Sequence, residues 1–167
     1  MVDVECGNMI VASQGGMVQL RAGGAADAPL RARLDRPTPR IDIARALAGI
    51  ANACIDVSDG LLADLGHVCI ASGVGAQVEL HALPASAMLA ARFNAEARQA
   101  LQASGGDDYE LCFTATPTQR DAIERLAREH DLVITRVGLI VTGVVVRAVD
   151  VEGQTWQAPR SGYVHFQ

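Results

Sequence analysis

Lysine is absent from this chain of 167 residues, and all 14 of its basic side chains are arginine. That excludes a phosphate-loop lysine and every Schiff-base mechanism. Aromatic residues are scarce, 4% against 50% hydrophobic residues overall, so the core is expected to be aliphatic and large enough for one domain with an appendage. Positive charge is also short. A formal net charge of -5 argues against nonspecific nucleic-acid binding, which depends on neutralising phosphates with basic side chains. The cysteines, Cys6, Cys54, Cys69 and Cys112, show no C-x-x-C spacing and are expected to be reduced, buried thiols. No apolar run reaches the 18 residues that a membrane span needs. The start of the chain lacks a basic segment followed by a long apolar one, so a cytoplasmic location is expected. His67, His81 and His130 have no partner at metal-ligand spacing and are expected at the surface or at helix ends.

What the chain does have is concentrated in Cys54-Ile55-Asp56-Val57-Ser58-Asp59-Gly60-Leu61-Leu62. A short apolar run ends in two carboxylates and a hydroxyl, and an amphipathic pattern follows, which reads as a strand running into a helix. Asp56 and Ser58 share a face of an extended segment, and Asp59 is expected in the first helical turn. Free backbone N–H groups and the positive end of the helix dipole belong at the same place, so anions are welcome there, and a hard cation bridging carboxylates to a phosphate fits. Ser58 as an N-cap and Asp59 as a first-turn acid explain an isolated Ser-Asp-Gly without any ligand, each contributing roughly 0.5–2 kcal/mol. Asp56 is less easily explained that way. If buried after Ala53, Cys54 and Ile55, it requires a metal ion or an arginine as partner.

Along the chain, Met1 to Leu20 has weak periodicity broken by Gly7, Gly15 and Gly16, and Arg21 to Arg40 has the proline, glycine and arginine composition of a linker. A boundary is therefore expected at about residue 33, with residues 1–33 as an N-terminal remnant and linker and 34–167 as the main domain. Thr38-Pro39 offers an N-cap and a first-turn proline for a short helix through Ile41, Ala44, Leu47 and Ala48. Leu61, Leu62, Leu65, Val68 and Cys69 mark one face of a helix closed by Gly73. Ala76 to Leu80 reads as a strand, Pro84 to Ala103 as helix interrupted near Phe93-Asn94, and Tyr109 to Ala115 as a strand. Thr116-Pro117 opens a helix with Ile123, Leu126 and Ala127 inward. Leu132 to Val141 and Val144 to Val151 are expected to pair as a hairpin through Thr142-Gly143, with Trp156 packed over it. Strands alternating with helices imply a mixed sheet covered by helices.

A second acidic concentration, Gly105-Gly106-Asp107-Asp108-Tyr109-Glu110-Leu111, stands at the entrance to a strand. Paired glycines permit a tight turn or close approach to a ligand, and a solvated turn accounts equally for the pattern. In an extended conformation Asp107 and Asp108 point to opposite faces, so at most one of them is expected to reach a given site. Gly162-Tyr163-Val164-His165-Phe166 ends the chain with two aromatics three residues apart, as a docking strand would.

Taken together, Arg36-Pro37-Thr38-Pro39-Arg40, Ile55 to Leu61, Gly105 to Leu111 and Gly162 to Phe166 resemble, in the same order, the motifs of the C-terminal half of the thiamine-phosphate kinase family, within the aminoimidazole ribonucleotide synthetase superfamily. The resemblance runs from about Leu34 to Phe166. It implies an α/β (α+β) fold with a mixed β-sheet covered by helices. It also implies transfer of the terminal phosphoryl group of ATP to thiamine phosphate, giving thiamine diphosphate with no covalent enzyme intermediate. Asp56 and Asp59 match magnesium-binding aspartates, Ser58 a nucleotide-contacting serine, Asp107 a substrate-binding position that is often Glu, and Tyr163 an aromatic contacting the thiamine rings. No matched residue is identified as a catalytic base. The resemblance implies Mg2+ and ATP as the required small molecules, and the chemistry agrees, since magnesium takes oxygen ligands and phosphoryl transfer needs positioning and charge neutralisation.

Two departures accompany the matches. The family's N-terminal domain carries further paired aspartates and helps to build the dimer, whereas Met1 to Arg40 has only the isolated Asp3, Asp27 and Asp35. Asp107 also stands where Glu is common, with a shorter arm. The expected function is the C-terminal part of the kinase, incomplete alone and working as a homodimer or with a complementing N-terminal domain, with neither nucleic acid nor membrane as partner. The competing readings are a noncatalytic remnant or binding module of the same fold, and another ATP-dependent member of the superfamily.

Overall fold

A computed structural model of the chain describes residues 2–7, 35–36, 38–106 and 109–157. Its strands are β1 (Val2–Gly7), β2 (Ala53–Val57), β3 (Gly75–Glu79), β4 (Glu110–Ala115), β5 (Ile134–Val141), β6 (Val146–Val149) and β7 (Thr155–Trp156). Its α-helices are α1 (Ile41–Ala46), α2 (Leu61–Ser72), α3 (Ala87–Arg92), α4 (Ala95–Ser104) and α5 (Arg120–Glu129). Among the described residues the strands form a single mixed sheet in the order β2-β4-β1-β5-β3-β6-β7.

Alternation along β4 divides the core in two. Cys112 packs with Val57 of β2 and with Leu61, Leu65 and Cys69 of α2. Its neighbour Phe113 points to the other face and packs with Ile43 of α1, Leu47 at that helix's C-cap and Ile123 of α5. Helices therefore cover both faces, as the sequence pattern predicts for a mixed sheet. Leu61 and Leu65 are wholly buried, each worth roughly 1.5–3 kcal/mol, and they fix α2 against β2. Gly73 ends α2 in the left-handed conformation, as expected, and Asn94 caps α4 through the Ala97 amide.

Four expectations are corrected. Val2–Gly7, assigned above to a remnant outside the main domain, is an inner strand of the sheet, antiparallel to both β4 and β5. The strand signal was present, since Val2, Val4 and Cys6 alternate with Asp3 and Glu5. Residues 8–34 lie outside the described residues. Second, β5 and β6 do not form a hairpin. β3 enters between them, antiparallel to β5 and parallel to β6, and the Ala76 amide bonds the Val145 carbonyl as the connection passes over the start of β3. The antiparallel partner of β6 is β7, which holds the half-buried Trp156.

Third, α1 begins after Arg40 rather than at Thr38-Pro39. Ile43 and Leu47 turn inward, and Ile41 is 63% exposed. Fourth, Cys54 is exposed, because β2 is an edge strand on which Cys54 and Asp56 alternate with the inward Ile55 and Val57. Cys69 and Cys112 are buried as expected, and the side chain of Cys6 lies outside the described residues. Among the described residues no helix is long and apolar enough to cross a membrane.

Candidate active site

Pairing of β2 with β4 brings the two acidic motifs together. Asp56 stands opposite Leu111 and Val57 opposite Glu110, so the turn leaving β2 lies beside the loop entering β4. The Tyr109 amide donates to the Val57 carbonyl at 2.9 Å, extending the ladder past the strand end, and Tyr109 itself has φ 52°. The two turns touch through glycines. A Cβ on Gly60, whose φ is 117°, would lie 2.8 Å from the Ser104 carbonyl carbon, and a Cβ on Gly106 would overlap the Ser58 carbonyl oxygen. Glycine is thus required on both sides of the contact.

The turn itself departs from the simple cap. α2 starts at Leu61 with Gly60 as N-cap, so Ser58 is not the N-cap and Asp59 is not in the first helical turn. Asp64, on the buried face of α2 between Leu61 and Leu65, reaches back toward the helix start. Its Oδ2 accepts the amide of Ser58 at 2.8 Å and that of Asp59 at 3.0 Å. Two amides of the turn before the helix are therefore occupied from within. Burial pushes the Asp64 carboxyl above its ordinary pKa and the Asp59 charge adds to the rise, while the amides of Asp59, Ser58 and Gly60 oppose it. The sequence signal for Asp64 is an acid at a core-facing helical position between Leu61 and Leu65, which spacing alone does not connect to the turn.

Asp56 is exposed on the outer face of β2, and Ser58 and Asp59 are half-buried in the turn. Exposure removes the argument that Asp56 needs a partner to compensate burial. Asp107 and Tyr163, the expected substrate contacts, lie outside the described residues. Among the described residues no group of three or more His, Cys, Asp or Glu forms a metal cage. Magnesium does not need one. It characteristically binds through one or two carboxylates and takes its remaining ligands from water and phosphates, so the oxygen donors of Asp56 and Asp59 fit it.

One further relationship was not read from the sequence. Arg40 and Glu110 belong to separate motifs, and the structure joins them in a two-pronged ion pair at the entrance to β4. The signal available was an arginine and a glutamate adjoining apolar elements in a chain without lysine. Nothing in their spacing pairs them. A small apolar cavity lies beside the pair, bounded by Ile43, Leu47, Phe113 and Ile134.

The fold and these loops define an α/β domain of the mixed-sheet kind, with helices on both faces and two acidic turns in contact at one edge strand. Residues 8–150 match the model of the family described as AIR synthase related protein, C-terminal domain, and the chain belongs to that family. The match starts well before the boundary expected at residue 34. The chain is similar to the thiamine-monophosphate kinase of Haemophilus influenzae, 41% identical over 77% of this chain and 40% of the relative. It is similar in structure to the thiamine-monophosphate kinase of Stenotrophomonas maltophilia K279a, with a TM-score of 0.85 and 38% identity over 93% of this chain and 51% of that one. AaThiL complexed with AMPPCP and TMP is likewise similar, with a TM-score of 0.79 and 28% identity over 99% of this chain and 51% of that chain. The chain thus spans about two fifths of the length of that curated relative.

Proposed function

We propose that this chain carries the C-terminal-domain share of a thiamine-monophosphate kinase, which transfers the terminal phosphoryl group of ATP to thiamine phosphate and yields thiamine diphosphate. The observation that carries the reading is the contact between the two acidic turns, Gly60 against Ser104 and Gly106 against Ser58. It gathers on one sheet edge the motifs that contact phosphate and substrate in the family. The likeness to curated thiamine-monophosphate kinases and to AaThiL bound to AMPPCP and TMP supports the same reading.

In this proposal Asp56 and Asp59 hold Mg2+, Ser58 contacts the nucleotide, and Asp107 and Tyr163 contact thiamine phosphate. Magnesium held there would supply charge neutralisation for the phosphates. The chain's own share is positional. β2 sets Asp56 at the edge, Asp64 fixes the turn that presents Ser58 and Asp59, and Gly106 keeps the second acidic loop against that turn. An aromatic face at Tyr163 and a carboxylate at Asp107 suit a planar, cationic ligand. Turnover at a full rate draws on the portion of the relatives that this chain does not span, which a complementing N-terminal domain supplies; pairing of two copies of this chain is the alternative assembly. The working location is the cytoplasm.

Calorimetric titration of the chain with thiamine phosphate, with and without Mg2+, tests this. Saturable binding that magnesium strengthens, and that Asp56→Asn and Tyr163→Ala each weaken, is expected. If neither thiamine phosphate nor an ATP analogue binds with magnesium present, the noncatalytic reading replaces it.

A further inference from the structure

We propose that the ion pair between Arg40 and Glu110 is a positioning pair for the second acidic loop, holding Tyr109 in the turn that sets this loop against the one leaving β2. Tyr109 has φ 52°, in the left-handed region. For a bulky residue that conformation is an outlier, and it persists only where its surroundings hold it. Two holds are in place. The Tyr109 amide donates to the Val57 carbonyl at 2.9 Å, and the next residue, Glu110, is gripped by both prongs of Arg40, Nε at 2.8 Å and Nη2 at 2.9 Å. With its carboxylate fixed at two points and its backbone paired with Val57, Glu110 has little freedom to turn, and the peptide it shares with Tyr109 is fixed with it.

The grip has a rigid base. Arg40 is the N-cap residue of α1, its carbonyl accepts the Ala44 amide at 2.9 Å, and α1 is seated on the sheet through Ile43, which packs with Phe113 and Ile123. The Glu110 side chain is 1% exposed, so water does not compete for its oxygens. At the other end of the loop Gly106 is pressed against Ser58 and Asp59. Contact at Gly106 and the lock at Tyr109 thus hold both ends of the loop on the β2 turn. An apolar pair of similar volume serves stability as well as a buried ion pair does, and what the fork adds is a single geometry. The ligand half of this inference rests on the function proposed above, in which this loop contacts thiamine phosphate. The lock on Tyr109 rests on the geometry alone.

Amide hydrogen exchange on the full chain tests the lock, and calorimetry tests its use. The Asn52 amide, which donates to the Thr114 carbonyl at 2.7 Å, lies just past the far end of the same pairing of β2 with β4 and reports general loosening. In the wild-type chain the Tyr109 amide is expected to be protected at least as well as that of Asn52. Arg40→Met combined with Glu110→Gln removes both charges at similar volume. In that double variant Tyr109 is expected to lose protection by about tenfold more than Asn52 does. With magnesium present, its affinity for thiamine phosphate is expected to fall about tenfold and that for AMPPCP to change by no more than about twofold. Arg40→Lys keeps the charge without the fork and is expected to show the same two effects. A pair that only stabilises the fold would loosen both amides together and leave the ratio of the two affinities unchanged.

The inference is overturned if Tyr109 is the less protected of the two amides in the wild-type chain, if both lose protection in step in the double variant, or if Tyr109 alone loosens and thiamine phosphate still binds as it does to the wild type. Should the double variant not fold, Arg40→Lys and the wild-type comparison decide. A wild-type chain that binds no thiamine phosphate with magnesium present removes the proposed function, and with it the ligand half of the inference, while the exchange pattern continues to judge the lock.

Discussion

Arg40 and Glu110, 70 residues apart in sequence, share two parallel hydrogen bonds, Nε to Oε2 at 2.8 Å and Nη2 to Oε1 at 2.9 Å. The Glu110 side chain is 1% exposed and that of Arg40 is 16% exposed. Hydrogen bonding to Glu110, against an opposing desolvation effect, raises the already high pKa of the guanidinium, so Arg40 stays charged. The pair ties the segment entering α1 to the first residue of β4, directly after the second acidic loop. Removing one partner breaks a largely buried ion pair, which costs about 3–5 kcal/mol. Arg40→Met and Glu110→Gln are each expected to lose stability on that scale in urea unfolding, and the double variant to lose clearly less than the sum. Arg40→Lys is expected to rescue little, since a point charge cannot reproduce the fork.

That pair also marks how far the sequence could be read. Helix α2 was legible because Leu61, Leu65 and Cys69 repeat on one face and Gly73 stops it, and the break at Phe93-Asn94 was legible because Asn94 is a cap. Both signals are local. The placement of β1 inside the sheet and of β3 between β5 and β6 depends on which strands meet, and periodicity does not encode that. In the site, the acids of the β2 turn were legible as residues, and their arrangement was not. The turn depends on Asp64 five and six residues ahead, and on Gly106 from the other motif. Asp107 and Tyr163 lie outside the described residues.

Gln102 gives a second test of buried polar structure. It is 1% exposed in α4, and its Nε2 donates to the carbonyls of Leu83 at 3.2 Å and Pro84 at 2.6 Å. Both acceptors are carbonyls, so the amide orientation is fixed and only a donor serves. Gln102→Ala strands those carbonyls and is expected to cost about 2–3 kcal/mol in urea unfolding. Gln102→Glu replaces the donor by a further acceptor and is expected to cost more at neutral pH. Equal stability of Gln102→Glu and the wild-type chain would show that these bonds carry no weight.

The thiols are expected to separate by reactivity. Cys54 is exposed, while Cys69 and Cys112 are 0% and 1% exposed. Desolvation first, then the Cys112 and Asp56 charges, push the Cys54 thiol above its ordinary pKa. The thiolate is the reactive form, so a raised pKa means less of it at pH 8 and a labelling rate that keeps rising with pH beyond the usual thiol range. Alkylation of the folded chain followed by peptide mass spectrometry should find Cys54 modified, slowly at pH 8 and faster at pH 10. Cys69 and Cys112 should be modified only after denaturation. Labelling of Cys69 at the rate of Cys54 would contradict the packing of α2 on the sheet.

Three glycines separate strain from contact. Gly49 has φ 82° and nothing within 4 Å of where a methyl group would stand, so Gly49→Ala carries conformational strain alone, about 1 kcal/mol. Gly106→Ala carries contact alone, since its methyl meets the backbone of Ser58 and Asp59 and must push the two acidic turns apart. Gly60→Ala carries both, with φ 117° and the Ser104 carbonyl carbon and oxygen at 2.8 and 2.9 Å, and is expected to be the least stable of the three. Ligand binding should rank differently. If the contact between the turns builds the site, Gly106→Ala weakens magnesium-enhanced thiamine phosphate binding at least tenfold, a loss of about 1.4 kcal/mol, while Gly49→Ala binds as the wild-type chain does. Equal binding by both folded variants would mean that the two turns are neighbours by strand pairing and act independently, and the weight of the functional reading would then shift to the Asp56 to Gly60 turn alone.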